Sequence, residues 1–105
     1  MLRTLRPCVP LAVVILLAGC AEPPNKEMNQ AQGAIDAARA AGAEQYAAEE
    51  FAAAVNALKR SEDAVAQNDY RLALSLAIDS RERAQDGAKT AVDNRAKARG
   101  DAGRI

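Results

Sequence analysis

Apolar residues recur at intervals of three and four along most of this chain, and alanine is the commonest residue at those positions. This spacing places them on one face of an α-helix. Alanine is the strongest helix former but buries little apolar surface, so helices that meet through it approach closely and gain little from burial. The pattern predicts an all-α fold with alanine-rich packing, and it argues against a large enzyme-like core.

The pattern falls into three series, which predict helices at 26–41, 47–67 and 70–98. Their order predicts an antiparallel helical hairpin or a small three-helix bundle. The apolar members of the series are Met28, Ala31, Ile35, Ala38; Ala47, Phe51, Ala54, Val55, Leu58, Val65; Tyr70, Ala73, Leu74, Ala77, Ala84, Ala88, Ala91 and Val92.

The predicted helix ends rest on residues suited to caps and turns. Asn25 is expected to cap the first helix, and Gly42 to end it in a left-handed conformation. Asn68 is expected to leave the second helix in the same way, and Asp69 to cap the third. Ala43, Glu44 and Gln45 are good helix formers. A break before the second helix and a continuous helix therefore both remain open.

The third predicted helix is longer than the second. Ala88, Ala91 and Val92 therefore lie beyond the hairpin partner. The first helix, a second copy of the chain or another protein is needed to cover them.

The segment from Met1 to Cys20 has the pattern of a secretory signal peptide. Arg3 and Arg6 precede a short apolar run that contains Pro10 and closes with LAGC. The run is well short of the ~20 apolar residues that a membrane-spanning helix needs. The predicted organisation is a cleaved signal at 1–19, a tether at 20–27, a helical domain at 28–99 and a frayed tail at 100–105.

Leu17, Ala18, Gly19 and Cys20 resemble the lipobox of bacterial lipoproteins. The resemblance implies cleavage between Gly19 and Cys20, a thioether-linked diacylglyceryl group on Cys20 and an acyl chain such as palmitate on its new amino group. Several acyl chains together anchor a protein firmly in a membrane. Because Ala21 rather than aspartate follows the cysteine, the resemblance implies the periplasmic face of the outer membrane, rather than retention in the inner membrane.

The helical part has resemblances of its own. AARAAGAEQYAAEEF and NDYRLALSLA are similar to segments of uncharacterised bacterial envelope lipoproteins with a short alanine-rich helical domain of unknown function. This resemblance covers about residues 34–92 and implies a fold and a location without an activity. NDYRLAL also resembles the start of the second helix of a tetratricopeptide repeat, although no second copy at the repeat period of about 34 residues is visible.

Catalysis, metal binding and nucleic-acid binding are all disfavoured. The chain has no histidine to activate Ser61, Ser75 or Ser80. With Cys20 acylated and Cys8 removed, no thiol remains for a metal, so we expect neither a metal nor a cofactor beyond the covalent lipid. Loss of Arg3 and Arg6 takes the formal charge from zero to −2, which does not suit nucleic acid.

Five basic residues near the C-terminus are candidates for contact with an anionic surface: Lys89, Arg95, Lys97, Arg99 and Arg104. Alternatively, these cations complement the negative end of the helix dipole. The chain ends in Gly103, Arg104 and Ile105, whereas the murein lipoproteins that it partly resembles end in a lysine that joins peptidoglycan. The contact expected here is therefore non-covalent.

The resulting prediction is a periplasmic lipoprotein that acts as a non-catalytic helical scaffold or spacer of the cell envelope. The alternative is a tetratricopeptide-like partner-binding module or a peptidoglycan-contacting module. The membrane is the expected partner through the lipid, and self-association or an envelope protein partner remains open.

Overall fold

The computed structural model describes residues 22–103, which form four helices without a strand in that range, as the predicted all-α fold requires. The predicted helices are all present, and an additional short helix follows the first of them. The helices are α1 (Asn25–Ala40), α2 (Ala43–Tyr46), α3 (Ala48–Ala66) and α4 (Tyr70–Gly103).

Helices α3 and α4 form an antiparallel hairpin. Two buried serines bridge it reciprocally: Ser61 Oγ of α3 donates to the carbonyl of Ala73 at 2.6 Å. Ser80 Oγ of α4 donates to the carbonyl of Ala54, also at 2.6 Å. The backbones are close here, and at Gly87 an added Cβ would lie 3.3 Å from the Cβ of Glu50. Small residues therefore allow the close approach that the alanine pattern predicts.

Helix α1 lies parallel to α4, and so it completes a three-helix bundle. Arg81 Nη1 donates to Gln30 Oε1 at 3.0 Å. Further along α4, Arg95 Nη1 donates to the carbonyl of Ala41 at 3.3 Å. Residue numbers rise together along both helices. Of the two predicted architectures, the three-helix bundle is the one observed.

The core is made largely of alanine. Among the buried apolar residues between positions 22 and 100, only Ile35, Leu58 and Leu76 are larger than alanine. Ala91, which needed a cover, is fully buried in the same cluster as Ala38 and residues of α2 and α3. The first helix and the segment after it therefore supply the cover that the length of α4 required.

The turn between α3 and α4 has the predicted geometry. Asn68 has φ 62°, in the left-handed region. Its amide donates to the carbonyl of Val65 at 2.9 Å, and the amide of Asp69 donates to the carbonyl of Ala64 at 2.8 Å. Asp69 Oδ1 then accepts the amide of Leu72 at 3.1 Å, which caps α4. Together these bonds end one helix and begin the next.

Gly42 separates α1 from α2, with φ 90°. A side chain there would be strained, and its Cβ would lie 3.2 Å from Cδ2 of Tyr46. Ala47, with φ −147° and ψ 51°, then separates α2 from α3. The break is real, and the continuous helix is excluded.

Three details differ from the predictions. Asn25 is the first residue of α1 rather than its cap, because Pro24 already supplies the carbonyl that accepts the amide of Met28 at 3.0 Å. Helix α4 continues to Gly103, beyond the predicted end at 98, because good helix formers lead up to Gly100 and no proline stops it. Three members of the predicted apolar series, Val55, Leu74 and Val92, are exposed at 41%, 38% and 57%, since each follows a buried residue or lies about 100° from one around its helix, at the edge of the packed face.

Candidate functional site

The far end of α4 is fixed to the bundle by two polar side chains. Asn94 Nδ2 donates to the carbonyl of Tyr46 at 2.7 Å, and Arg95 Nη1 donates to the carbonyl of Ala41 at 3.3 Å. The Arg95 guanidinium thus satisfies a free carbonyl at the C-terminal end of α1, where a cation is also favoured by the helix dipole. Beyond it, residues 96–100 are all exposed.

The predicted basic residues do not converge on one face. Lys89, Lys97 and Arg99 are exposed, whereas Arg95 is half-buried and bound to α1. At about 100° per residue, Lys97 and Arg99 lie on nearly opposite sides of α4. Arg104 lies outside the described residues. The arrangement is therefore a helix end with scattered cations rather than a patch.

Val92 is the most exposed large apolar residue described, at 57%. Shallow depressions of about 450 and 270 Å³ flank it, one beside Ala88 and the other beside Ala96. Of the three residues predicted to need a cover, Ala91 is buried, Ala88 is half-buried and Val92 stays exposed.

At the opposite end of the bundle the chain enters beside the start of α4. Pro23 and Pro24 are half-buried and, with Tyr70, Arg71 and Leu74, line an open cleft of about 410 Å³. Gly19 and Cys20 lie outside the described residues, so the predicted cleavage and acylation remain predictions.

Leu72 and Leu74 are exposed at this same end, at 45% and 38%. Leu72 lines a second depression together with Arg60 of α3 and Gln67 of the turn after it. The sequence analysis placed Leu74 in the apolar series of the third helix and singled out no role for Leu72, so this surface was not predicted. The only available signal was that two leucines spaced two apart cannot both face the core of one helix.

The two buried serine hydroxyls have structural partners. The hydroxyls of Ser61 and Ser80 are fully buried and donate to backbone carbonyls. In residues 22–100 no three histidine, cysteine, aspartate or glutamate residues form a group that could hold a metal ion. None of the helices in this range is both long and apolar enough to span a bilayer.

These features define a class of small all-α protein: a bundle built on an antiparallel hairpin whose helices meet through alanine, serine and glycine. Residues 26–102 match the family described as "Domain of unknown function (DUF4398)", and because the match covers most of the chain, the protein belongs to that family. Neither a curated protein nor a solved structure matches this chain. The predicted resemblance to a helical domain of unknown function is thereby confirmed, and the lipoprotein part stays a prediction.

Proposed function

We propose that the protein is a lipid-anchored, non-catalytic helical spacer of the bacterial cell envelope. In this proposal the acyl chains on Cys20 hold it at the periplasmic face of the outer membrane. The LAGC sequence and the basic, apolar segment before it support the anchor.

One observation carries the spacer role. The chain enters the bundle where α4 begins, and α4 is 34 residues long. It therefore extends about 51 Å away from that point. In a protein anchored at Cys20, two residues before Glu22, the exposed end of α4 is the part farthest from the anchor along the bundle. This geometry supports a protein that presents one end at a distance from its membrane attachment.

The anchor is tested by replacing each of the two cysteines. We expect Cys20→Ala to retain residues 1–19, gain no acyl mass and disappear from the outer-membrane fraction. Cys8→Ala is the matched control, because Cys8 lies in the segment that is removed, and it should behave as the wild type. Intact mass spectrometry of the membrane-extracted proteins gives the result. An unmodified wild-type mass would contradict the proposal.

A second candidate role is contact between the C-terminal part of α4, from Lys89 onward, and an anionic wall polymer such as peptidoglycan. The observation that favours it is that Lys89, Lys97 and Arg99 are exposed and that none of them belongs to an ion pair within the described residues. Their scatter around the helix suits a flexible polymer better than a small anion.

Sedimentation with purified peptidoglycan tests this role. The triple variant Lys89→Gln, Lys97→Gln, Arg99→Gln should lose binding. Its control removes the same charge from exposed positions elsewhere, with Lys26→Gln, Lys59→Gln and Arg60→Gln. Equal binding by the two variants would show that the end of α4 is not the contact.

A further inference from the structure

We propose that the end of the bundle where α4 begins rests directly on the lipid surface, so that the protein stands end-on with Leu72 and Leu74 at the headgroup boundary. This inference deepens the proposed function and rests on the lipid anchor at Cys20. It names the membrane surface itself, in addition to the acyl chains, as a contact of the folded domain.

The length of chain between the anchor and the bundle carries the first step. Cys20 precedes Glu22 by two positions, and so short a segment spans at most about 7 Å. Pro23 and Pro24 are half-buried and line the same cleft as Leu74, in the first turns of α4. The tether is therefore too short to hold this end of the bundle far from an acylated cysteine.

The positions of the two leucines carry the second step. They are two positions apart, so at about 100° per residue they face nearly opposite sides of α4. Leu72 lines a depression with Arg60 of α3 and Gln67 of the following turn, whereas Leu74 lines the cleft that the two prolines also line. A surface laid along the flank of the bundle reaches only one of them, but a surface met by the end of the bundle reaches both.

The charges at this end carry the third step. Exposed Glu22 and Asp69 are mixed with exposed Lys26 and Arg71. The end therefore has no strong field of one sign, and an anionic or cationic partner gains little there. Apolar leucine side chains among mixed charges suit the boundary between headgroups and acyl chains of a zwitterionic lipid.

Single tryptophans test the orientation, because the chain has none of its own. The three variants are Leu72→Trp, Leu74→Trp and Val92→Trp, each in the mature acylated protein. Val92 is the matched control, because it lies on the same side of α4 as Leu74 but about five helical turns, or ~27 Å, further along the helix. Circular dichroism checks that each variant keeps its helix content.

The proteins are reconstituted in dioleoylphosphatidylcholine vesicles in which part of the lipid carries brominated acyl chains. Bromine quenches tryptophan emission only at contact range. We expect the emission of both the Leu72→Trp and the Leu74→Trp variants to be quenched about twofold or more relative to the Val92→Trp variant, as for side chains at the interface.

Three other outcomes overturn the inference. Quenching of the Leu74→Trp and Val92→Trp variants without the Leu72→Trp variant means that the bundle lies on its flank. No quenching at any position means that the domain is held off the membrane. A blue-shifted emission at positions 72 and 74 that brominated lipid does not quench means that another protein copy covers them.

Flotation of the same vesicles separates this inference from the anchor. If the wild-type protein fails to float with the vesicles, the proposed anchor is wrong. If it floats while the Leu72→Trp and Leu74→Trp variants are unquenched, the anchor stands and only the end-on contact is wrong.

Discussion

Gly33 and Gly42 differ in backbone conformation, and alanine substitution should therefore change stability in opposite directions at the two positions. Gly42 has φ 90°. Because an L-residue is strained there, Gly42→Ala should lower the free energy of unfolding by about 1–2 kcal/mol. Gly33 lies inside α1, and an added Cβ meets nothing within 4 Å.

Gly33→Ala should therefore raise the free energy of unfolding by about 0.5–1 kcal/mol, since alanine is the better residue inside a helix. Urea unfolding followed by circular dichroism measures both variants. A neutral Gly42→Ala would contradict the left-handed turn.

The two buried serines, Ser61 and Ser80, should both contribute to the stability of the hairpin. Each joins α3 to α4 through one hydrogen bond, whose acceptor carbonyl also lies in a helix. Ser61→Ala and Ser80→Ala should each lower the free energy of unfolding by about 1 kcal/mol, because each removes one of these hydrogen bonds. For a domain of this size, the loss corresponds to a fall of about 4–8 °C in Tm.

The control for the two serines is Ser75→Ala, because Ser75 is exposed on α4. A surface substitution of this kind should stay within about 0.5 kcal/mol of the wild type. Indistinguishable melting of all three variants would show that the bridges contribute nothing.

At the scale of the helices, small residues recur every seven positions along the hairpin. On α4 they are Ala73, Ser80 and Gly87; facing them are Ala47, which directly precedes α3, and Ala54 and Ser61 within α3. All of them are buried, and the pairs 54–80 and 61–73 are joined by the serine hydrogen bonds. This repeat sets how closely α3 and α4 approach.

Enlarging one of these positions should force the two helices apart. Ala54 is fully buried, so Ala54→Leu adds volume where there is no room for it. We expect the substitution to lower the free energy of unfolding by about 1–3 kcal/mol.

Ala52→Leu is the matched control on the same helix, because Ala52 is exposed. It should tolerate leucine with a change of about 0.5 kcal/mol at most. Chemical unfolding of both variants tests the difference, and equal stability would contradict the close approach.

Much of the element-level structure was predictable, since local signals determine it. Asn68 ends one helix and Asp69 caps the next through hydrogen bonds to residues close in sequence. Asparagine and aspartate are typical of these positions, so the residue types alone predict the turn. The same holds for Gly42. Whether α1 packs on the hairpin was left open, because this depends on long-range contacts such as the hydrogen bond from Arg95 to the carbonyl of Ala41, and a basic residue does not indicate which carbonyl it will reach.

At the scale of the whole molecule, α4 divides into a part that the bundle needs and a part that it does not. The residues that follow Ala96 are exposed up to Gly100. The free energy of unfolding of a chain that ends after Ala96 should therefore lie within about 0.5 kcal/mol of that of the full chain. A chain ending after Thr90 lacks buried Ala91 and the bonds of Asn94 and Arg95. Its free energy of unfolding should be lower by about 2 kcal/mol or more, because two hydrogen bonds are removed together with the buried alanine.

Thermal unfolding of the two truncated chains measures this boundary. Similar losses in both would mean that residues 97–105 help to hold the bundle together, and the exposed end would then not be free for contact with a partner.

The candidate surfaces were only partly predictable for a related reason. Sequence identified the cations Lys89, Lys97 and Arg99, and the structure leaves all three exposed. It could not identify the end where Leu72 and Leu74 lie together with the prolines of the tether, because that surface exists only once α1 has packed alongside α4.

The parallel arrangement of α1 and α4 also determines how the molecule responds to force. A pull between the tether at Glu22 and the far end of α4 acts along both helices in opposite directions. The contacts between them, from Gln30 and Arg81 to Ala41 and Arg95, are then loaded together in shear. Contacts loaded in shear must yield at the same time, whereas those of a hairpin pulled from its open end yield one after another. Along its long axis the bundle is therefore built to resist extension.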